Sequence, residues 1–247
     1  YSYTLGMVIG LARSQPAYRL MLQSMAQDLI DYATLHQIRQ PQPLQLSGVA
    51  ILPSGTTRRD LAVKVSNPNP NFYVPVLRYA FSQGGATVAT GQAFLLPGET
   101  KYLFSFGIAG ITGTVQASLT DVSWSRVQPD EYRRLADDRV QVAITNIAHV
   151  PAADLRQLGS QLGGQTSFTV ANRSIFGYWD VGLHVLLFNG EQLVAAQRSR
   201  VHQLIPRGQQ RLTVSWAHAL PLVTHATVVP ELNPYDRSAF FDYRVPG

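Results

Sequence analysis

The stretch "VANRSIFGYWDVGLHVLLFNGEQLVAAQ", residues 170–197, places a polar corner, Asn172-Arg173-Ser174, ahead of an alternating apolar run. Alternation with period two over a run of this length is strand patterning. The run ends at Asn189-Gly190, a pair suited to a tight hairpin because both residues accept positive φ. A second alternating run follows it. Asn at a strand end can bond its own backbone and tolerates left-handed geometry, so Asn172 reads as corner chemistry. Residues 172–174 also spell a formal N-glycosylation sequon, but the corner reading takes precedence.

The same order of features occurs about a hundred residues earlier. From residue 63 the chain reads "VKVSNPNPNFYVPVLRYAFSQGGATVATGQAFLLPGETKYLFSF". From residue 168 it reads "FTVANRSIFGYWDVGLHVLLFNGEQLVAAQRSRVHQLIPRGQQRLTVSW". Each strand ends in Asn (Asn67, Asn172), and an aromatic follows shortly after (Phe72, Phe176). A long strand then runs to a turn at Gly84 or Gly190. Next come "VATGQ" or "VAAQ", a descending strand, and a proline-glycine turn at Pro97-Gly98 or Pro206–Gly208. Each copy closes on a strand ending in Phe106 or Trp216. The ordered recurrence points to an internal duplication. Phe81, Phe104, Phe188 and Trp216 are expected as core anchors between the sheets.

Outward from the repeat, strand-like runs continue through residues 44–52, 60–67, 73–82, 86–96, 101–108, 113–124 and 140–150, with turns about every ten residues. That rhythm belongs to an all-β sandwich or barrel. The charged stretch 128–138 breaks the rhythm and marks a boundary. "AADLRQLGSQLG", from residue 152, inserts helical patterning with Leu155, Leu158 and Leu162 on one side. The first forty residues differ: Tyr18, Leu22, Met25, Leu29 and Tyr32 recur at spacings of three and four, giving one apolar helical stripe. "QPQPL", from residue 40, stops it. The expected organisation is a helical arm at 1–40, sandwiches at 44–127 and 139–232, and an irregular tail at 233–247.

The chain of 247 residues is 45% hydrophobic and 14% charged, which excludes intrinsic disorder. Its formal charge is +5, and all basic residues except Lys64 and Lys101 are arginines. Those arginines are dispersed, so no nucleic-acid partner is expected. Cysteine is absent, which excludes disulfides, thiolate metal sites and cysteine nucleophiles. "TLGMVIGLA", from residue 4, has about half the length that spans a bilayer. It reads either as the end of a membrane anchor or as a packing arm.

Segment 168–216 resembles the FxLyD family of small immunoglobulin-like domains, through "VANRSIFGYWDVGLHVLLFNGEQLVA" and "LIPRGQ". Residues 63–106 fit the pattern more loosely. The helical insertion and the missing strict name motif depart from it. The resemblance implies a mainly β chain of two tandem Ig-like sandwiches behind an amphipathic helix, with binding or scaffolding rather than catalysis. The arrangement also looks like that of membrane-anchored bacterial envelope proteins.

Sequence chemistry adds little to this. No histidine pair has HxH or HExxH spacing; His184 and His202 fall on adjacent expected strands and are the one pair that could meet. Asp121, Asp130, Glu131, Asp137 and Asp138 gather near the boundary as a solvated hinge. No catalytic residue, metal or cofactor is expected. The expectation is a non-enzymatic structural subunit of an envelope or extracellular assembly, with protein partners or further copies of itself. The alternative is a carbohydrate- or peptide-binding module. The arm residues Tyr18, Leu22, Met25, Leu29 and Tyr32, together with Tyr178 and Trp179, are the expected partner contacts.

Overall fold

Period-two patterning in the first half becomes six antiparallel strands: β1 (Gln45–Pro53), β2 (Arg58–Ser66), β3 (Phe72–Gln83), β4 (Ala86–Leu95), β5 (Thr100–Ala109) and β6 (Val115–Val122). The coordinates are a computed structural model that describes residues 40–241. The five arm residues named above, and the segment from residue 4, lie outside the described residues. Among the described residues, no helix is long and apolar enough to cross a membrane.

The strands form two facing sheets, β1-β2-β5 and β4-β3-β6, and a two-residue strand β7 (Ser125–Arg126) pairs with the start of β3. Inward positions alternate as sheet packing requires. Leu61, Val63 and Val65 of β2 meet Leu77, Tyr79 and Phe81 of β3 in one buried core.

The second half repeats this plan strand for strand. β8 (Val142–Pro151), β9 (Gly164–Asn172) and β12 (Gln209–Trp216) form one sheet. β11 (Gln192–Leu204), β10 (Gly177–Asn189) and β13 (His225–Glu231) form the other. A final two-residue strand, β14 (Phe240–Phe241), pairs with the start of β10 as β7 does with β3. Irregularities recur too. Pairing slips one residue beside the hairpin at Phe81/Ser82 in one copy and at Leu187/Phe188 in the other. The first strands, β1 and β8, each carry a bulge facing their partner. Phe168, Val170, Leu183, Val185, Leu187 and Trp216 centre the second core.

Several expectations change. The charged break at 128–138 is a helix, α1 (Pro129–Arg139). Pro129 opens it, Asp130 and Glu131 occupy its first turn and Arg139 its last, which complements the helix dipole. No residue of α1 is buried, so it connects the sandwiches rather than filling a core. The helical insertion shrinks to α2 (Ala152–Gln157): Leu155 is buried but Leu158 is 81% exposed, so the three leucines share no face. The second hairpin turns on Gly190-Glu191, with Asn189 still paired to Gln192; only Gly190 takes positive φ.

Candidate functional site: the junction between the sandwiches

The asparagine corner is built twice with matching bonds to the following strand and the proline turn. Asn67 Nδ2 donates to the carbonyls of Phe72 (2.8 Å) and Leu96 (3.0 Å), and its Oδ1 accepts from the Asn69 amide (3.0 Å). Asn172 Nδ2 donates to the carbonyls of Phe176 (2.8 Å), Leu204 (3.2 Å) and Ile205 (3.1 Å), and its Oδ1 accepts from Ser174. One side chain thus ties the end of a sheet strand to the next strand and to the distant proline turn. Both asparagines are buried, so the 172–174 sequon is closed in the folded protein.

The six-residue step from each Asn leads to a tyrosine, Tyr73 or Tyr178. Tyr178 is one of the expected partner contacts, and its burial corrects that expectation: none of the side chain is left on the surface. Its hydroxyl donates to the Arg139 carbonyl (2.9 Å) and accepts from the Gln141 amide (3.3 Å). It therefore pins the chain where α1 enters the second sandwich. Its counterpart Tyr73 accepts from Asn233 Nδ2 at 2.6 Å and stacks on Tyr235 at 4.6 Å. Burial, reinforced by Tyr132, Glu131 and Tyr73, pushes the Tyr235 hydroxyl up to about 12. Trp179, the neighbour of Tyr178, is 47% exposed and lies against Phe241.

His184 and His202 do not meet. His184 lies opposite Arg198, whereas His202 lies opposite Asp180 and pairs with it, four residues away along each strand. No group of three metal-ligating side chains exists among the described residues.

What the strands do bring together is a junction that the sequence did not disclose. The outer face of sheet β1-β2-β5 lies on the outer face of sheet β11-β10-β13. Leu52, Ala62 and Phe104 from the first sandwich form a buried cluster with Leu186, Leu193 and Ala196 from the second. Phe104 and Phe188, expected inside the sandwiches, belong to this cluster instead. The signal was available in β5, where Tyr102, Phe104 and Phe106 recur at period two. They form a ladder of rings 5.9 and 5.4 Å apart on the face that a solvated sheet would leave polar.

Beside the apolar cluster lies a cleft of about 320 Å³ lined by residues of both sandwiches, among them Lys101, Phe104, His184 and Glu231. Lys101 Nζ sits 3.7 Å over the Phe94 ring and donates to Glu231 Oε1 at 3.2 Å, an ion pair that crosses from one sandwich to the other. Its side chain is only 7% exposed. A cation desolvated to this degree requires its carboxylate partner. Burial acts to raise the Glu231 carboxyl, but Lys101, His184 and Arg198 outweigh it and hold the group below the usual carboxylate range. Glu99 accepts from the Leu96 amide, and burial holds its carboxyl above the usual range despite Lys101.

His184 completes the group. Its Nε2 is buried, has no hydrogen-bond partner among the described residues, and lies 3.7 Å from Glu231 Oε2. Burial is the main cause that lowers its pKa, with Arg198 and Lys101 adding to it against Glu231, so the imidazole is neutral at neutral pH. The ring packs on Phe104 at 5.0 Å between centroids.

A second groove, of about 630 Å³, opens where β8 and β13 leave the edge of the second sandwich. His149 lines it. Trp216 Nε1 donates to Thr166 Oγ1 (2.9 Å), and the same hydroxyl is hydrogen-bonded to His149 Nδ1 (2.9 Å).

No family model matches the chain, and no curated protein does. Among solved structures, a crystal structure of red sea bream transglutaminase is similar at 12% identity and a TM-score of 0.24. The likeness covers 79% of this chain but only 30% of that one, and at that score it bears on neither fold nor activity.

Proposed function

We propose that the protein is a non-enzymatic scaffolding subunit of a cell-envelope or extracellular assembly, built from two FxLyD-type, immunoglobulin-like sandwiches. The observation that carries this reading is the junction. Its apolar cluster and cross-sandwich ion pair fuse two copies of one fold into a single stiff body. A stiff body suits a part that holds neighbours at fixed spacing, since independent domains otherwise move relative to each other by default. In this reading the arm at residues 1–40 supplies attachment through Tyr18, Leu22, Met25, Leu29 and Tyr32, either to protein partners or at a membrane.

The test compares the full chain with one lacking residues 1–40, by sedimentation and by fractionation of the producing cell. The reading expects self-association or envelope association of the full chain, lost in the shortened one. A monomeric full chain whose fractionation ignores the deletion overturns it.

A carbohydrate- or peptide-binding role is the second reading, and Trp179 is the observation that favours it. The ring is 47% exposed and is backed by Phe241 at 4.5 Å, which forms a firm apolar platform. Glycan-array binding lost in Trp179→Ala supports that role, whereas an array without signal removes it.

A further inference from the structure

Three charged or titratable side chains meet where the two sandwiches touch, and they come from both. Glu231 of β13 holds Lys101 of β5 at 3.2 Å and faces the bare Nε2 of His184 of β10 at 3.7 Å. While His184 is neutral, the cross-sandwich ion pair is undisturbed and the imidazole is a flat apolar surface for Phe104. A proton on Nε2 changes each part of this. It places a further cation against the carboxylate that is paired with Lys101. It also charges a ring whose side chain is only 9% exposed.

The other groups facing His184 deepen the conflict. Arg198 lies opposite it on β11, and among the described residues no ion pair or hydrogen bond engages its side chain. From β5 comes Lys101, and from β13 only Glu231 is anionic. Tyr79 from β3 is close by, with its hydroxyl donated to the Phe104 carbonyl at 2.9 Å. Glu99 is spent on the Leu96 amide and on Lys101. Glu231, the carboxylate that acts on His184, therefore already faces two permanent cations, Lys101 and Arg198, before any proton arrives.

We propose that His184 is an acid-sensitive latch: its protonation opens the contact between the two sandwiches while leaving each sandwich folded. Opening is the available relief, because it returns Lys101, Glu231 and the imidazolium to water without breaking any strand pairing. The sign is fixed by burial. A histidine whose folded pKa is depressed contributes stability that is complete above its free value of 6.5 and is lost as pH falls below it. The latch is closed at neutral pH and opens in mild acid. It does not depend on what the protein attaches to.

The chain has no cysteine, so spin labels can be placed cleanly at Ser118→Cys on β6 and Thr213→Cys on β12, both exposed. Distances between them are measured by pulsed electron resonance from about pH 8 down to about pH 5, a range in which histidine is the side chain that ordinarily titrates. The expected result is one distance at high pH and a second, longer population that grows on acidification, with a midpoint below 6.5. His184→Phe and His184→Gln should each hold the single distance throughout, and His202→Gln should behave as the parent does. An unchanged distance in the parent overturns the latch, as does the same acid population in both His184 variants. Loss of the β circular dichroism signal at the same midpoint also overturns it, because the fold rather than the contact would then have opened.

Discussion

The two asparagine corners perform the same task with different parts, and their differences show which parts matter. Asn67 sits in "NPNPN" and Asn172 in "NRSIF", yet both side chains reach the following strand and the proline turn. Around the turn itself the copies diverge. Gly98 takes a φ of +67° in the first, and Arg207 takes +57° in the second. Asn67 and Asn172 close the corner by donating their amides to the carbonyls one residue further on, Glu99 and Gly208. The bonds to the following strand and to the proline turn are common to both copies, whereas the residue in the left-handed position is not. What the duplication kept is the accounting for buried polar groups. The comfort of the backbone was left to vary.

That comparison can be broken most directly at the asparagines. Asn172→Ala strands three carbonyls, of which that of Leu204 is buried, and should cost about 3–5 kcal/mol by urea unfolding, with Asn67→Ala slightly less because it frees two. Losses below about 1 kcal/mol at both positions would remove the corner as the common device. Next in size, Phe104→Ala should cost about 3 kcal/mol, because it empties the junction rather than either core. The same variant should broaden the inter-sandwich distance at neutral pH.

The tyrosines test a finer point. Tyr178→Phe removes a buried hydroxyl that serves Arg139 and Gln141, and should cost about 1–2 kcal/mol in the second sandwich. Tyr73→Phe releases only the tail at Asn233 and should cost less, visible as faster amide exchange around residues 233–235. Smaller still, Arg207→Gly should stabilise by up to about 1 kcal/mol, and Gly98→Ala should destabilise by about the same. Opposite signs at equivalent positions would confirm that the left-handed site is tolerated in one copy and accommodated in the other.

Acid adds a slower slope. Burial lowers His149 as well as His184, so both favour the folded state fully above 6.5 and withdraw that support below it. Melting temperature measured against pH should fall more gently below 6.5 in His149→Phe than in the parent. An identical slope in the variant would exclude His149 from the effect.

The strands and the duplication were legible because both rest on local rules: period-two alternation, Asn at strand ends and glycine at turns. Three features were not legible. Tyr178 reads as a surface aromatic until its hydroxyl is seen to close the start of the second sandwich, a bond across thirty-nine residues. The helix at Pro129–Arg139 has no apolar stripe to announce it, only end charges. The junction depends on which outer faces meet, and alternation assigns a residue to a face without saying what covers that face. The aromatic ladder of β5 was the available hint, because Tyr102, Phe104 and Phe106 occupy the side where solvent was expected.

The buried Asn172 has a consequence for anyone producing the protein. Its amide nitrogen, the atom a glycosylating enzyme would modify, is already committed to three carbonyls. In a host whose secretory pathway reads Asn-Arg-Ser, modification and folding would compete for the same nitrogen during synthesis. A chain that received the sugar first could not close its second corner. Yield in such a host would then report a race between two cellular processes rather than the stability of the finished molecule.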